Sequence, residues 1–218
     1  MSHLSGQILM GFDITVFTAA VLLHFTNKNI SAIRLYMVQS AAIGLLLLAS
    51  TLDRFTPLLL IAAIATITVK VLVAPYFFYG LTKRHDLKFS VSTYLNPPVT
   101  LAAIAGLLVL TQIDFFTPLV SLGTSEEKLL RLAFATILVS LLLSINRRGA
   151  LSQVLGILSL ENGIVSFALF AGLEQSPGFQ LGITFNILIW VIIATVFASM
   201  IFRKFGSLDV TSMKKLRD

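Results

Sequence analysis

The sequence contains no cysteine in its 218 residues. Without thiolates the chain cannot hold an iron–sulfur cluster or a thiolate metal site, and it cannot form a disulfide. Histidine is also scarce, and because the three histidines are scattered we expect no metal site in this chain. Any redox centre that works with this protein is therefore expected in a partner subunit.

Charged residues are the second scarcity. They make up 12% of the chain, against about 25% in soluble domains, while hydrophobic residues make up 56%. The first seven residues contain no Lys or Arg, so they lack the basic start of a cleaved signal peptide, and we expect the first apolar run to remain as a helix. The sequence therefore predicts an all-α integral membrane protein. The basic residues behind the net charge of +6 then indicate how the helices are oriented in the membrane, and they do not indicate nucleic acid binding.

Seven apolar segments have the length of membrane-spanning helices, which need about 20 residues each. The predicted helices cover residues 8–26, 30–50, 56–82, 97–113, 126–145, 151–172 and 179–202. The fourth has the shortest apolar core. We expect residues 83–96 to lie along the membrane interface, residues 114–125 to form a loop or a re-entrant segment, and residues 203–218 to form a solvated tail.

The basic residues are unevenly distributed between the two sides that seven helices would define. Twelve of the sixteen Lys and Arg residues fall on the side of the first, third and fifth turns and the C-terminus. These twelve are Lys28, Arg34, Lys83, Arg84, Lys88, Arg147, Arg148, Arg203, Lys204, Lys214, Lys215 and Arg217. By the positive-inside rule, this bias predicts a cytoplasmic C-terminus and an N-terminus outside.

The order of helices and turns indicates an internal duplication. The first three predicted helices have a short basic turn, then polar centres at Gln39 and Lys70, and a basic end. The last three repeat this order with Glu161 and Asn186. The fourth helix is an odd connector, so the sequence predicts two parallel three-helix repeats, helices 1–3 and 5–7, joined by helix 4. The corresponding divisions are residues 1–96, 97–125 and 126–218.

Glu161 and Lys70 are the candidate functional residues, because ionisable groups near mid-membrane are costly. A carboxyl group whose charged form is disfavoured by burial and favoured by a nearby cation can bind and release a proton. Glu161 could instead be a neutral acid that only hydrogen-bonds a neighbouring helix. Its neighbours Ser159, Asn162 and Gly163 supply hydrogen bonds or room for close helix approach. Lys70 must meet a carboxylate, either Glu161 or an acid of another subunit, or else a hydrated cavity.

Several other polar residues lie inside or beside the apolar segments. Pro75 follows Lys70 by five residues and predicts a kink or local opening of the helix. Gln39 and Asn186 cannot titrate. They could either hydrogen-bond a chain of water molecules or join neighbouring helices by hydrogen bonds. Asp13 lies one to two turns inside the first helix, where we expect it to be solvated and structural. His24 and His85 flank the inner boundary and are expected to be interfacial.

Three stretches resemble the E component of hydrogenase 4, a membrane subunit of formate hydrogenlyase-type and other group 4 [NiFe]-hydrogenase complexes. They are residues 70–75 (KVLVAP), 156–163 (GILSLENG) and the tail from FGSLDV at 205–210 through 214–218. The likeness extends over nearly the whole chain in length, order and helix count. Each repeat is in turn similar to the three-helix K subunit of respiratory complex I and the C subunit of multisubunit cation/proton antiporters.

The resemblance implies a proton path through the middle of the membrane. In those relatives the second and third helices carry glutamates, and Glu161 matches the second-helix acid of the C-terminal repeat. The N-terminal repeat has Gln39 and Lys70 at these places, and Asn186 stands in the final helix. This pattern favours one titratable acid and one fixed cation that work together with neighbouring subunits.

The function implied by the resemblance is that of a non-catalytic subunit in a prokaryotic cytoplasmic membrane. A peripheral hydrogenase module with nickel–iron and iron–sulfur centres would pass electrons, and antiporter-like subunits beside this chain would translocate protons or sodium ions. Two alternatives remain open. The chain could belong to a cation/proton antiporter that has no redox module, or it could be a structural tether for antiporter-like subunits.

Overall fold

A computed structural model describes residues 6–53, 57–87, 93–116, 118, 127–172 and 177–209. Within these ranges the chain is helical and has no β-strand beyond two isolated bridges. The all-α prediction is therefore confirmed for the described part of the chain. The predicted tail beyond residue 209 and most of the predicted loop at 114–125 lie outside the described residues.

The helices follow one another with short connections. In chain order they are α1 (Gly6–Phe25), α2 (Asn29–Asp53), α3 (Pro57–Ile67), a π-helical segment (Thr68–Val73), α4 (Ala74–Arg84), α5 (Pro97–Thr111), a 3₁₀ turn (Asp114–Phe116), α6 (Glu127–Asn146), α7 (Ala150–Phe170) and α8 (Pro177–Phe205). The segments α3, π and α4 form one continuous rod of 28 residues, Pro57–Arg84.

Six of the described helical segments are long and apolar enough to cross a membrane, namely α1, α2, the α3–α4 rod, α6, α7 and α8. Helix α5 has 15 residues and spans about 22 Å. It runs antiparallel to α6, because Asn146 Nδ2 donates to Thr100 Oγ1 at 3.2 Å and Arg131 Nη1 donates to the Thr111 carbonyl at 2.6 Å. The bundle therefore has the architecture of a multi-pass membrane protein with six long helices and one short one.

The turns that follow α1, α4, α6 and α8 meet at one end of the bundle, here called the basic end (residues 25–29, 84–87, 93–96, 146–150 and 205–209). Asn29 Nδ2 donates to the Leu87 carbonyl at 3.0 Å, Arg147 Nη2 to the Thr26 carbonyl at 3.0 Å, and the Ala150 N–H to the Leu208 carbonyl at 3.1 Å. These ranges contain Lys28, Arg84, Arg147 and Arg148, four of the twelve basic residues that the sequence assigned to one side. Which membrane face this end occupies stays a prediction.

Helices that the sequence places at equivalent positions in its two halves pack against each other. Helix α1 contacts α6, α2 contacts α7, and α3 contacts α8. Helix α5 lies against α6 and also touches α1. Contacts between the two predicted halves therefore form part of the core, beside the close pairs α1 with α2 and α6 with α7.

Glycines set the close approach of α7 to α6. A Cβ atom at Gly156 would lie 2.6 Å from Ser144 Oγ and 2.9 Å from the Ser144 Cα and N atoms. A Cβ atom at Gly163 would lie 3.1 Å from the Ile137 backbone N. The close helix approach predicted at Gly163 is therefore confirmed, and Gly156 adds a second, tighter contact seven residues earlier.

Two apolar clusters fill the ends of the bundle. The basic-end cluster includes Tyr36, Phe78 and Leu155, and the far-end cluster includes Leu46 and Leu130. On α2 the basic-end cluster stops at residue 36 and the far-end cluster starts at residue 42. The gap between the two clusters, here called the polar layer, contains the buried polar residues Gln39, Ser40, Lys70, Ser140, Ser159 and Asn162 together with Glu161.

Candidate functional site

Lys70 lies in the π-helical segment that joins α3 to α4. Pro75 has no N–H to donate, and the Ala74 N–H bonds to the Val69 carbonyl, five residues earlier, as in a π turn. The local opening predicted at Pro75 is therefore found, and it takes the form of a π-helix. Such segments are frequent at functional sites.

The two intramembrane charges form an ion pair. Lys70 Nζ lies 2.8 Å from Glu161 Oε1 and 2.9 Å from Asn162 Oδ1, so the ammonium group has two acceptors on α7. The Lys70 side chain is 1% exposed and that of Glu161 is 22% exposed. The sequence left the partner of Lys70 open, and the structure identifies it as Glu161.

A chain of hydrogen bonds extends the ion pair across the polar layer. Asn162 Nδ2 donates to Ser40 Oγ at 3.0 Å and to Gln39 Oε1 at 3.3 Å. Gln39 Nε2 donates to Ser159 Oγ at 2.9 Å, and Ser159 and Ser140 share a hydrogen bond of 2.8 Å. The predicted polar neighbours of Glu161 therefore connect α2, α6 and α7 to the charged pair.

The second carboxylate oxygen of Glu161, Oε2, is buried and has no hydrogen-bond partner among the described residues. The pair borders a narrow crevice whose other lining residues are Leu47, Thr66, Val165, Ile183 and Thr184. The room for water centres in this crevice is about 10 Å³, which corresponds to about one water molecule. One site for water thus adjoins the ion pair, between α2, α3, α7 and α8.

The structure separates the fourth predicted site residue from the other three. Lys70, Glu161 and Gln39 belong to one network, whereas Asn186 is exposed on α8. Among the described residues Asn186 makes no hydrogen bond to that network. Its place in an ion path stays a prediction.

Asp13, expected to be solvated, and His24, expected at the inner boundary, are both buried within the bundle. Asp13 is 0% exposed and accepts a hydrogen bond from Ser166 Oγ at 3.0 Å, so the prediction of a solvated Asp13 is wrong. His24 is also buried, with Nε2 3.0 Å from the Val139 carbonyl. The sequence held a signal for both, since Asp13 and His24 are eleven residues apart and share one helix face with Val16 and Ala20. His85 is half-buried near the basic end and hydrogen-bonds Ser199 at 3.0 Å.

Arg147 has a role that the sequence did not reveal. Its Nη2 lies 2.6 Å from the Leu23 carbonyl and 2.9 Å from the His24 carbonyl, in addition to its bond to Thr26. Burial lowers the pKa of the Arg147 guanidinium below its usual value, but arginine remains charged in proteins. A cation at these last carbonyls also complements the dipole of α1. Arg147 therefore fixes the end of α1 to the α6–α7 turn.

The fold and the site define a multi-pass helical membrane protein with an ion pair and a polar layer buried at its centre. Within the described residues no group of three or more His, Asp or Glu side chains could hold a metal ion. The chain is similar over its full length to "Uncharacterized protein Rv0085" of Mycobacterium tuberculosis, with 29% identity over 223 residues and 100% of each chain covered. No family model and no solved structure matches it.

Proposed function

We propose that this chain is a membrane subunit of a respiratory-type hydrogenase or formate hydrogenlyase complex, in which it contributes to a mid-membrane path for protons or sodium ions. Electron transfer in partner subunits would drive the translocation. The observation that carries the proposal is the ion pair between Lys70 and Glu161, which is buried in the polar layer and built on a π-helix.

The energetics of the pair favour a functional role. Removing two charges from water costs several kcal/mol per ion, and apolar residues of similar volume often stabilise a core as well or better. A protein that needed only packing at this point would gain little from Lys70 and Glu161. A relay needs them, because a carboxylate held by a cation can accept a proton when the cation moves away.

The contacts of Lys70 suggest how such a relay would work. The ammonium group touches Glu161 Oε1 and Asn162 Oδ1 at nearly equal distances. When Glu161 takes up a proton, the charge attraction is lost, and Asn162 remains as the acceptor for Lys70. When the proton leaves, the carboxylate regains its cation. Asn162 thus keeps the lysine satisfied in both states, and its contact to Gln39 couples this change to α2.

The packing supports the proposed parallel repeats. Helices α1, α2 and α3 each contact their counterpart in the second half, and polar side chains meet between the halves. Gln39 and Asn162 join α2 to α7, and Thr66 and Thr184 share a hydrogen bond of 2.7 Å that joins α3 to α8. Two three-helix units linked by the short α5 would produce such like-with-like contacts. This arrangement agrees with the resemblance to the K subunit of complex I and the antiporter C subunit.

The proposed setting is a prokaryotic cytoplasmic membrane, with the basic end on the cytoplasmic side and the N-terminus outside. Nickel–iron and iron–sulfur centres would belong to the peripheral hydrogenase module. Antiporter-like and other membrane-arm subunits would lie beside this chain in the lipid bilayer. The exposed apolar side chains of α4 and α8, among them Tyr76, Trp190 and Phe197, offer surface for lipid or for these subunits.

A second candidate function is a structural tether between antiporter-like subunits. The observation that favours it is the small space beside the ion pair, which has room for about one water molecule, whereas a continuous wire needs several. In this case the charged pair and its amide partners would hold the two halves together. An antiporter subunit without a redox module is the third candidate.

Replacement of Glu161 in the intact complex tests the relay. Glu161→Gln keeps a side chain that can accept from Lys70 but cannot carry a proton at neutral pH. We expect the complex to assemble and to keep its electron transfer, while proton translocation into vesicles falls at least tenfold. The matched control is Glu127→Gln, which removes a largely exposed carboxylate at the start of α6.

Undiminished translocation by Glu161→Gln would contradict the relay and favour the structural tether. The metal content of the purified wild-type complex separates the remaining candidates. Nickel and iron in stoichiometric amounts are expected for a hydrogenase complex. Their absence from an active complex would point to the antiporter.

A further inference from the structure

A second carboxyl group lies inside the bundle and is not part of the ion pair. Asp13 is fully buried on α1, between Leu9 and Val16, which both belong to the far-end apolar cluster. Its Oδ1 accepts a hydrogen bond from Ser166 Oγ at 3.0 Å. Its Oδ2 is buried and has no hydrogen-bond partner in the described part of the chain.

No described cation pairs with Asp13. The other charged or titratable side chains described on α1 and on the helices packed against it are Arg34, Tyr36, Glu127, Lys128, Arg131, Glu161 and His24. Arg131 binds Glu127 and the Thr111 carbonyl, and Glu161 binds Lys70. Among the described residues, only Ser166 makes a hydrogen bond to Asp13.

The carboxyl groups of Asp13 and Glu161 therefore have opposite surroundings. Glu161 has an ammonium group at 2.8 Å, which stabilises its charged form. Asp13 has one hydroxyl and an apolar cluster, in which an unpaired carboxylate costs far more free energy than a neutral acid. When two carboxyl groups differ in this way, one of them holds a proton while the other holds a charge.

The position of Asp13 links it to the polar layer. Ser159, Asn162 and Ser166 follow one another on a single buried face of α7, at spacings of three and four residues. On α1 the Val16 carbonyl, one turn from Asp13, accepts a hydrogen bond from Gln39 Nε2 at 3.2 Å. Asp13 thus lies one helical turn, about 5 Å, beyond the polar layer toward the far end of the bundle.

We propose that Asp13 is a second proton-binding site of this chain and lies between the polar layer and the far end. In the resting protein the carboxylic acid is neutral. It releases its proton to a water molecule that enters from the far end, and the carboxylate left behind keeps the hydrogen bond from Ser166. The reverse step takes a proton from hydronium. The place of this site on a translocation path rests on the proposed function, whereas proton binding by Asp13 does not.

Infrared spectroscopy of the full chain in lipid vesicles tests the proton-binding claim. A protonated carboxyl group has a C=O stretching band separate from those of carboxylates. We expect such a band at neutral pH in the wild type and in Glu161→Gln, and we expect Asp13→Asn to remove it. Asp114→Asn, which alters an exposed carboxyl group in the 3₁₀ turn, should leave it unchanged. Ser166→Ala should raise its frequency, because the oxygen loses a hydrogen bond.

A wild-type spectrum without this band, or a band that persists in Asp13→Asn, would overturn the proposal. If Asp13→Asn does not fold, Asp13→Glu is expected to fold and keep the band, and its absence there would equally refute the assignment. Translocation by the complex tests the second part, with an expected loss of at least tenfold in Asp13→Asn. Normal translocation in Asp13→Asn removes Asp13 from the path. Normal translocation in Glu161→Gln refutes the proposed function instead.

Discussion

The two proposed three-helix repeats, called halves below, contribute opposite charges to one ion pair. The N-terminal half supplies Lys70 from its third helix, and the C-terminal half supplies Glu161 from its second. The positions that the proposed repeats make equivalent, Asn186 for Lys70 and Gln39 for Glu161, are uncharged. Neither half could bury its own charge alone, because each would then leave an unpaired ion in an apolar core. The ion pair therefore requires both halves to be assembled.

The third helices differ most between the halves. In the N-terminal half this helix is interrupted by the π-helical segment and turns Lys70 into the core, where its side chain is 1% exposed. In the C-terminal half α8 runs without interruption from Pro177–Phe205 and leaves Asn186 exposed. The neutral contacts between the halves, such as Thr66 with Thr184, are symmetric by comparison. Lys70 and the π-helical irregularity thus both lie in the N-terminal half, whereas neutral contacts such as Thr66 with Thr184 join like helices of the two halves.

Among the substitutions at and around the ion pair, Lys70→Met should destabilise the protein most. The substitution keeps the length of the side chain but leaves Glu161 without its cation and Asn162 Oδ1 without a donor. Breaking one partner of a buried pair costs about 3–5 kcal/mol. We expect a loss of that size in the free energy of unfolding, measured by denaturant titration of the protein in mixed micelles.

The double variant Lys70→Met with Glu161→Gln separates stability from function. It removes both charges, so most of the lost stability should return, while translocation by the complex should stay at background. If the double variant translocates protons normally, the ion pair serves only assembly. If the double variant is no more stable than Lys70→Met, the stability lost in Lys70→Met does not come from the unpaired charge of Glu161.

The second comparison is between tightly and loosely packed helix pairs. Gly156→Ala on α7 would place a methyl group 2.9 Å from backbone atoms of Ser144, so α6 must move, and overpacking of this kind costs about 1–3 kcal/mol. Gly182→Ala on α8 meets nothing within 4 Å, and removing a helical glycine there should stabilise by about 0.5–1 kcal/mol. Thermal unfolding of the two variants should therefore shift in opposite directions. A Gly156→Ala protein as stable as the wild type would contradict the close approach.

The sequence alone predicted the features that depend on composition and periodicity. Long apolar runs predicted the helices, Pro75 predicted the local opening beside Lys70, and Gly163 predicted a close helix contact. The cost of burying Lys70 predicted that it must find a carboxylate or water, although Glu161 was one of several partners that satisfied this condition. These predictions succeeded because each follows from one residue and its immediate surroundings.

The sequence does not predict features that depend on which helices pack against each other. Asp13 shares a helix face with Val16 and Ala20, but its contact to Ser166 follows from the packing of α6 and α7 around α1. Arg147 was interpreted by its charge, whereas its contacts to the end of α1 join residues more than 120 positions apart. The sequence places Asn186 in the final helix, at the position that Lys70 has in the first predicted repeat, but α8 leaves Asn186 exposed. Helix rotation and partner choice are set by tertiary packing, which periodicity does not specify.

Asn186→Leu should have the smallest effect and sharpens the comparison of the two halves. Because Asn186 is exposed and makes no hydrogen bond to the polar layer in the described part of the chain, its replacement should change the free energy of unfolding by less than about 0.5 kcal/mol. The comparison variant Gln39→Leu, in the polar layer, removes hydrogen bonds to Asn162 and Ser159 and should cost about 1–3 kcal/mol. Equal losses in the two variants, measured in the same micelles, would show that α8 turns Asn186 inward.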